Sequence, residues 1–282
     1  MIRTTLYLVV MLTAKVGHSQ SIVCTKMDSI AFYEKMAQLD PIKDAKDYGD
    51  SLGIIGKTFI DIPYVAKTLE VGQTESLVIN LHGLDCTTFV ENVLAFGKLV
   101  REGKGGIADF LDNLEEIRYE DGKLDGYASR LHYFSYWMAN NEKKGLIKDI
   151  TREMMGSELR TKEINFMGTH RDLYPFLRDD KNFDHIRKTE SALYQQPLCL
   201  LPQDRIAANE HLIKTGDIIA LTTSIKGLDV THTGIASRES DGRIHLLHAS
   251  TSSMKVEVTK LPLVDYLRLI KSNTGIMVGR PL

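Results

Sequence analysis

Apolar positions recur at helical spacing through the first half of the chain and at strand spacing through the last third. Ile30, Phe32-Tyr33, Met36 and Leu39 form one face of a short amphipathic helix over residues 28–39. Residues 44–52 are polar and predict a further short helical turn ahead of Gly53. Pro63 forces extended or turn geometry within residues 56–65, and residues 75–80 read as a strand or extended lead-in. Helical spacing returns with Phe89, Val90, Val93, Leu94 and Phe96. It returns again with Phe110, Leu111, Leu114 and Ile117, ending in the polar turn Glu120-Asp121-Gly122. Residues 143–180 alternate polar helix with short apolar pieces and show no repeat, so residues 100–203 are read as a helical insertion.

From Asp204 the period changes. Residues 214–223, 230–236, 243–249, 255–259 and 275–280 predict five strands, with a short helix over 263–269. Glu239-Ser240-Asp241-Gly242 supplies a hairpin turn between the second and third. Helices followed by an antiparallel sheet make an α+β fold.

Charge and composition exclude more than they assign. The chain has 282 residues, 43% hydrophobic, and a formal net charge of −2, enough for a sizeable core and with no basic stripe for a nucleic acid. Arg3, the apolar run Leu6-Tyr7-Leu8-Val9-Val10-Met11-Leu12 and the small polar residues through Gln20 read as an export signal over residues 1–19, with a buried helix or strand as the alternative. The run is too short to span a bilayer, which takes roughly 20 apolar residues. Ser21-Ile22-Val23 is a poor match to what precedes a lipidated Cys24. An exported chain with three cysteines, Cys24, Cys86 and Cys199, cannot pair them all internally, and a free thiol there calls for a use.

Asp85 is a good helix N-cap, which sets Cys86 at the first position of the helix that follows. The free amide donors and the dipole at that end are expected to lower the thiol's pKa. Such a cysteine is either a nucleophile or a small buried apolar residue. A nucleophile needs a base and a group that orients the base. His232 opens one strand and His248 ends the strand paired to it; if the Asp241-Gly242 turn lies midway, the two sit side by side. His245 falls on the opposite face by alternation, which argues against a zinc site built from His232, His245 and His248. Nine histidines make accidental pairs common, so the spacing alone does not settle the matter. Residues 126–138 gather Arg130, His132, Tyr133 and Trp137, either as core aromatics of a half-buried helix or as a substrate wall.

Four segments then carry a resemblance. Asp85-Cys86-Thr87-Thr88-Phe89-Val90 resembles the Asp-Cys-Ser-Gly-Phe-Val motif of the NlpC-type papain-like cell-wall hydrolases. His232-Thr233-Gly234-Ile235-Ala236 is similar to their His-Val-Gly-Ile-Tyr strand, and His248-Ala249-Ser250 to their His-Ala-Ser segment. Ile62-Pro63-Tyr64 resembles the Thr-Pro-Tyr ahead of the cysteine. Residues 126–137 and the closing strand resemble a larger branch, the exported N-acetylmuramoyl-L-alanine amidase-like proteins.

The resemblance implies a single papain-like domain over residues 20–282 with a C-terminal antiparallel sheet or barrel. It implies a Cys86–His232–His248 triad, with Tyr64 and the Cys86 amide at the oxyanion. Asp85, Thr87, Arg130, His132, Tyr133 and Trp137 become candidate substrate contacts. The expected reaction is cleavage of the N-acetylmuramoyl–L-alanine amide of peptidoglycan fragments, anhydro forms included, by a periplasmic monomer without cofactor, metal or stable membrane span. The alternatives are a γ-D-glutamyl-diaminopimelate endopeptidase and a non-catalytic wall-binding protein. Thr87-Thr88 in place of Ser-Gly is expected to crowd the pocket beside the nucleophile.

Overall fold

The computed structural model describes residues 21–39 and 47–282, so the expected export signal lies outside the described residues. Strand β1 (Ile22–Val23) pairs in parallel with β2 (Leu77–Val78), tying the start of the described chain to the segment ahead of Cys86. Helix α1 (Lys26–Leu39) follows, and α2 (Tyr48–Lys57) starts at Asp47, whose side chain accepts from the Gly49 and Asp50 amides.

The helical turn expected ahead of Gly53 instead runs on through Gly53 and Gly56. A Cβ at Gly53 would lie 2.4 Å from Thr215 Cγ2, and one at Gly56 2.7 Å from Leu247 Cδ2. These glycines do not stop the helix; they let it lie close against the sheet.

Helix α3 (Cys86–Glu102) is the central helix, ending at Gly103 with φ 65°, and α4 (Ile107–Arg118) packs beside it. Phe32, Phe96 and Phe110 meet between α1, α3 and α4, with ring centroids 4.5 to 5.6 Å apart. Helix α5 (Phe134–Lys143) comes next, then strands β3 (Ile147–Asp149) and β4 (Glu158–Arg160). The one-turn α6 (Phe166–Thr169), α7 (Asp180–Tyr194), β5 (Leu198–Pro202) and one-turn α8 (Ile206–Asn209) complete the middle of the chain. Strands β6 (Ile218–Thr223), β7 (Val230–Arg238), β8 (Ile244–Ser250) and β9 (Lys255–Val258), helix α9 (Leu263–Arg268) and strand β10 (Asn273–Pro281) form the rest.

The main sheet is antiparallel in the order β4-β5-β10-β6-β7-β8-β9, with β3 also paired to β10. The stretch 100–203, expected to be a helical insertion, therefore also contributes three strands. Runs as short as Ile147–Asp149 carry no readable period; their partner β10, more than a hundred residues away, makes them strands.

Both faces of the sheet are covered. Ile218, Ala220, Leu247 and Ala249 face α3, while Ile219, Leu221, Ile244, Leu246 and Ile276 face a second core closed by α9. This explains the nearly unbroken apolar run of β6. The outer edge of β9 is covered by residues 61–64, through Asp61 N–H to Val256 O, Val256 N–H to Ile62 O and Tyr64 N–H to Met254 O at 2.8 to 2.9 Å.

A charged pair sits inside this structure. Arg118 Nε lies 2.7 Å from Glu91 Oε2, each side chain 2% exposed, and Arg118 Nη1 donates to the Val78 carbonyl at 2.8 Å. It locks α3, α4 and β2 together. Removing one partner strands the other charge, so Arg118→Ala should lower stability by about 3–5 kcal/mol in urea unfolding, with much of the loss recovered in Glu91→Leu/Arg118→Met.

Candidate active site

The loop ahead of α3 is built from side-chain-to-backbone bonds. Asn80 Oδ1 accepts from the amides of His82 and Gly83 at 3.0 and 2.9 Å. Leu84 then exchanges backbone bonds with residues 63–65. Asp85 Oδ1 accepts from Thr88 N–H at 2.8 Å, while Asp85 N–H donates to Thr88 Oγ1 at 2.9 Å. This reciprocal cap sets Cys86 at the first position of α3. Thr88, expected to crowd the pocket, is buried in the cap, and Thr87 alone of the two lines the cavity.

The two histidines meet, though not as expected. In the β7–β8 ladder Ile235 pairs with Leu247 and Ala236 with Leu246, so the hairpin is centred on Asp241. Extending that register by one pair sets Gly234, not His232, across from His248. The imidazoles therefore meet diagonally, His232 Nε2 to His248 Nδ1 at 2.5 Å, with rings 4.8 Å apart and nearly perpendicular. A Cβ at Gly234 would lie 2.7 Å from Leu247 O and 2.9 Å from His248 Cβ. The missing side chain opens the diagonal. His245 points away, held by Thr259 O at 2.7 Å and Asp241 Oδ2 at 3.0 Å.

Cys86, half-buried, lines a cavity of about 130 Å3 together with Thr87, Tyr133, Tyr174, Asp229 and His232. Burial, and then the Asp85 carboxylate, push its thiol up to about 12, against the pull of the Thr233 and Thr87 donors. The expected lowering is thereby reversed: the residue that caps the helix also places a negative charge beside the sulfur. Burial pushes His232 down to about 4, and burial followed by His232 pushes His248 down to about 3. Thiol and imidazoles are all neutral at rest. Tyr64 is raised to about 12 by burial, then by Cys86 and Asp85, so its hydroxyl keeps its proton.

A second cavity of about 190 Å3 adjoins the first and shares Thr87 and His132 with it; Asp85 and Arg130 line it too. Arg130 lies between Glu70 at 3.6 Å and Glu75 at 3.4 Å. Tyr133 has its hydroxyl engaged within the protein, donating to Glu190 and accepting from the Met167 amide. Trp137 lines neither cavity. It is fully buried and stacked on Phe134 at 4.8 Å, a core residue where a substrate contact was expected.

Asp229 and Tyr174 line the cavity without a sequence signal that singles them out. The Asp229 carboxylate accepts from Ser135 N–H at 2.7 Å, tying the start of α5 to the entrance of β7. Only its position three residues ahead of His232 hints at this. Cys24 and Cys199 are free, as is Cys86. Among the described residues, no group of three or more His, Cys, Asp or Glu is arranged to hold a metal ion, and no helix is long and apolar enough to cross a membrane.

A family model described as N-acetylmuramoyl-L-alanine amidase-like (AmiA-like) matches residues 54–276. An N-acetylmuramoyl-L-alanine amidase of known structure from Bacteroides uniformis is 40% identical, covering 83% of this chain and 99% of its own, with a TM-score of 0.79. A Bacteroides fragilis protein provisionally described as a xylanase is 45% identical over 80% of this chain and 98% of its own, TM-score 0.75. A Legionella pneumophila protein at 21% identity covers 90% of this chain and 95% of its own with a TM-score of 0.66, a likeness of fold alone. No curated protein matches the chain.

The raised thiol has a direct readout. A group held above the ordinary cysteine value of about 8.5 carries less thiolate at neutral pH. Iodoacetamide labelling of the Cys86 peptide in the free protein should be slower at pH 7 than that of free cysteine and still rising above about pH 9. A labelling rate already at its plateau by pH 7 would contradict this.

Proposed function

The chain belongs to the N-acetylmuramoyl-L-alanine amidase-like family, and on that footing we propose that it cleaves the N-acetylmuramoyl–L-alanine amide of muropeptides, anhydro forms included, with Cys86 as nucleophile. The observation that carries this reading is one cavity holding Cys86 at a helix start and His232 in contact with His248.

If His232 donates its Nε2 proton to His248 Nδ1, its own Nδ1 is left as a bare lone pair able to act as a base. The thiol proton passes to that nitrogen as Sγ bonds to the amide carbonyl carbon and the C=O π pair moves onto oxygen. Concerted transfer suits a thiol and an imidazole that are both neutral at rest. The Cys86 amide and the Tyr64 hydroxyl would hold the oxyanion, each donor worth roughly 3 kcal/mol. Collapse breaks the C–N bond, and His232 returns its proton to the departing alanine nitrogen. A water, deprotonated by His232, then hydrolyses the thioester and restores the thiol.

The order Tyr64, Cys86, His232, His248 supports placing the chain in the papain-like, NlpC-type group. The apolar segment at residues 6–12 supports export, to the periplasm in this reading. Tyr133, Met167 and Tyr174, all from the long middle stretch, wall the cavity and support recognition of a defined fragment. Glycoside hydrolysis calls for two carboxyls about the scissile bond, whereas the two carboxylates nearest Cys86 and His232 are held by backbone amides, Asp85 by that of Thr88 and Asp229 by that of Ser135, which favours amide chemistry over a xylanase.

Cys86→Ala should abolish cleavage of an anhydro-muropeptide while the melting temperature stays within a few degrees. Mass spectrometry should show free anhydro sugar plus an intact L-alanyl peptide. L-Ala-D-Glu left on the sugar would identify an endopeptidase, and binding without turnover by the unaltered protein a wall-binding module.

Gly234→Ala tests the diagonal pair. Displacing His248 should lower kcat by about 10- to 100-fold with little change in KM, since misplacement by about 1 Å suffices for such losses.

A further inference from the structure

Residues 127–132 form a tight turn whose hydrogen bonds fix the chemistry of one ring. The Tyr127 carbonyl accepts twice, from the Arg130 amide at 3.2 Å and from His132 Nε2 at 2.8 Å. A carbonyl oxygen has no proton to give, so Nε2 is the protonated nitrogen of the neutral ring and Nδ1 carries a lone pair. Burial and then the Arg130 guanidinium keep the ring neutral, pushed down to about 3. The Tyr127 ring lies against it at 4.4 Å, and Arg130 is stacked on Tyr127 at 4.9 Å while held by Glu70 and Glu75. The imidazole is fixed in tautomer and in place.

Its place is the junction of the two cavities. His132 and Thr87 line both the pocket that holds Cys86 and His232 and the neighbouring one that holds Asp85 and Arg130. A substrate crossing from one cavity to the other passes between these two residues, beside the nucleophile. An acceptor that cannot become a donor selects for a donor on the substrate, and muropeptides carry amide N–H groups on both sides of the scissile carbonyl.

Resting on the amidase reading, we infer that His132 offers Nδ1 as an acceptor-only contact to an amide N–H of the bound muropeptide at the junction of the two cavities. This contact sets which fragments are cleaved, and His132 takes no part in the proton transfers of Cys86 and His232.

The test is a cycle between protein and substrate. The kcat/KM values of the unaltered enzyme and of His132→Phe are measured on a defined anhydro-muropeptide and on analogues each N-methylated at one amide nitrogen. His132→Phe should lower kcat/KM on the parent roughly 10- to 100-fold, the usual range for leaving a buried hydrogen-bonding group unpaired. One analogue should lower the unaltered enzyme by a similar factor and the variant no further. His132→Gln, with an amide N–H for the Tyr127 carbonyl and its own oxygen as acceptor, should recover some of the loss.

A His132→Phe enzyme as active as the unaltered one on the parent, or equal losses for every analogue in both enzymes, overturns the inference while leaving the amidase reading intact. An unaltered enzyme inert toward the parent overturns both. Should the phenylalanine variant not fold, nitrogen NMR of Cys86→Ala decides: the His132 Nδ1 resonance should shift when the muropeptide binds, and an unmoved resonance overturns the inference.

Discussion

Everything at the site depends on the burial of α3. Phe89, Val90, Val93, Ala95 and Phe96 are wholly inside, and even Glu91 and Asn92 are covered. A helix enclosed on every side cannot slide or roll without opening a cavity, so its first residue is held as firmly as its middle. The Glu91–Arg118 pair adds a register pin, since a shift of α3 would pull apart charges that water cannot reach. The position of Cys86 is thus a property of the core, and the reciprocal Asp85–Thr88 bonds only trim where the helix begins.

The sheet supplies the other half with less margin. His232 and His248 come together because β7 and β8 are paired in one register and because Gly234 leaves their diagonal open. A slip of one residue would turn one imidazole to the opposite core. The two halves also set the electrostatics jointly: the closeness that brings sulfur and imidazole into one cavity removes water from both, and neither holds a charge at rest.

What is legible in the sequence follows the range of the interactions involved. The start of α3 is legible because a cap acts over three residues, and the outward turn of His245 because strand period is local. The β7–β8 hairpin turns where expected, centred on Asp241, but setting His232 directly across from His248 needs a centre at Ser240, so the pairing expected of the two histidines is one residue out. Strands β3 and β5 are hidden because β10 defines them from far along the chain. Trp137 resembles a ligand contact by residue type, and only packing against Phe134 places it in the core. The thiol shift has the opposite sign to the one a helix end alone implies, because burial and the neighbouring Asp85 carboxylate both disfavour the thiolate. Asp229 gives little sign of itself beyond its nearness to His232, because its partner, Ser135, is ninety-four residues away.

The loop over residues 61–64 has a consequence for the behaviour of the whole molecule in solution. Its backbone bonds to β9 occupy donors and acceptors that an open sheet edge would present to another chain. The opposite edge, β4, is only three residues long and carries Glu158 and Arg160. Release of the Tyr64 loop would therefore do more than move one tyrosine: it would expose a template for strand-to-strand self-association. The same few hydrogen bonds fix the place of Tyr64 and close the edge of the sheet.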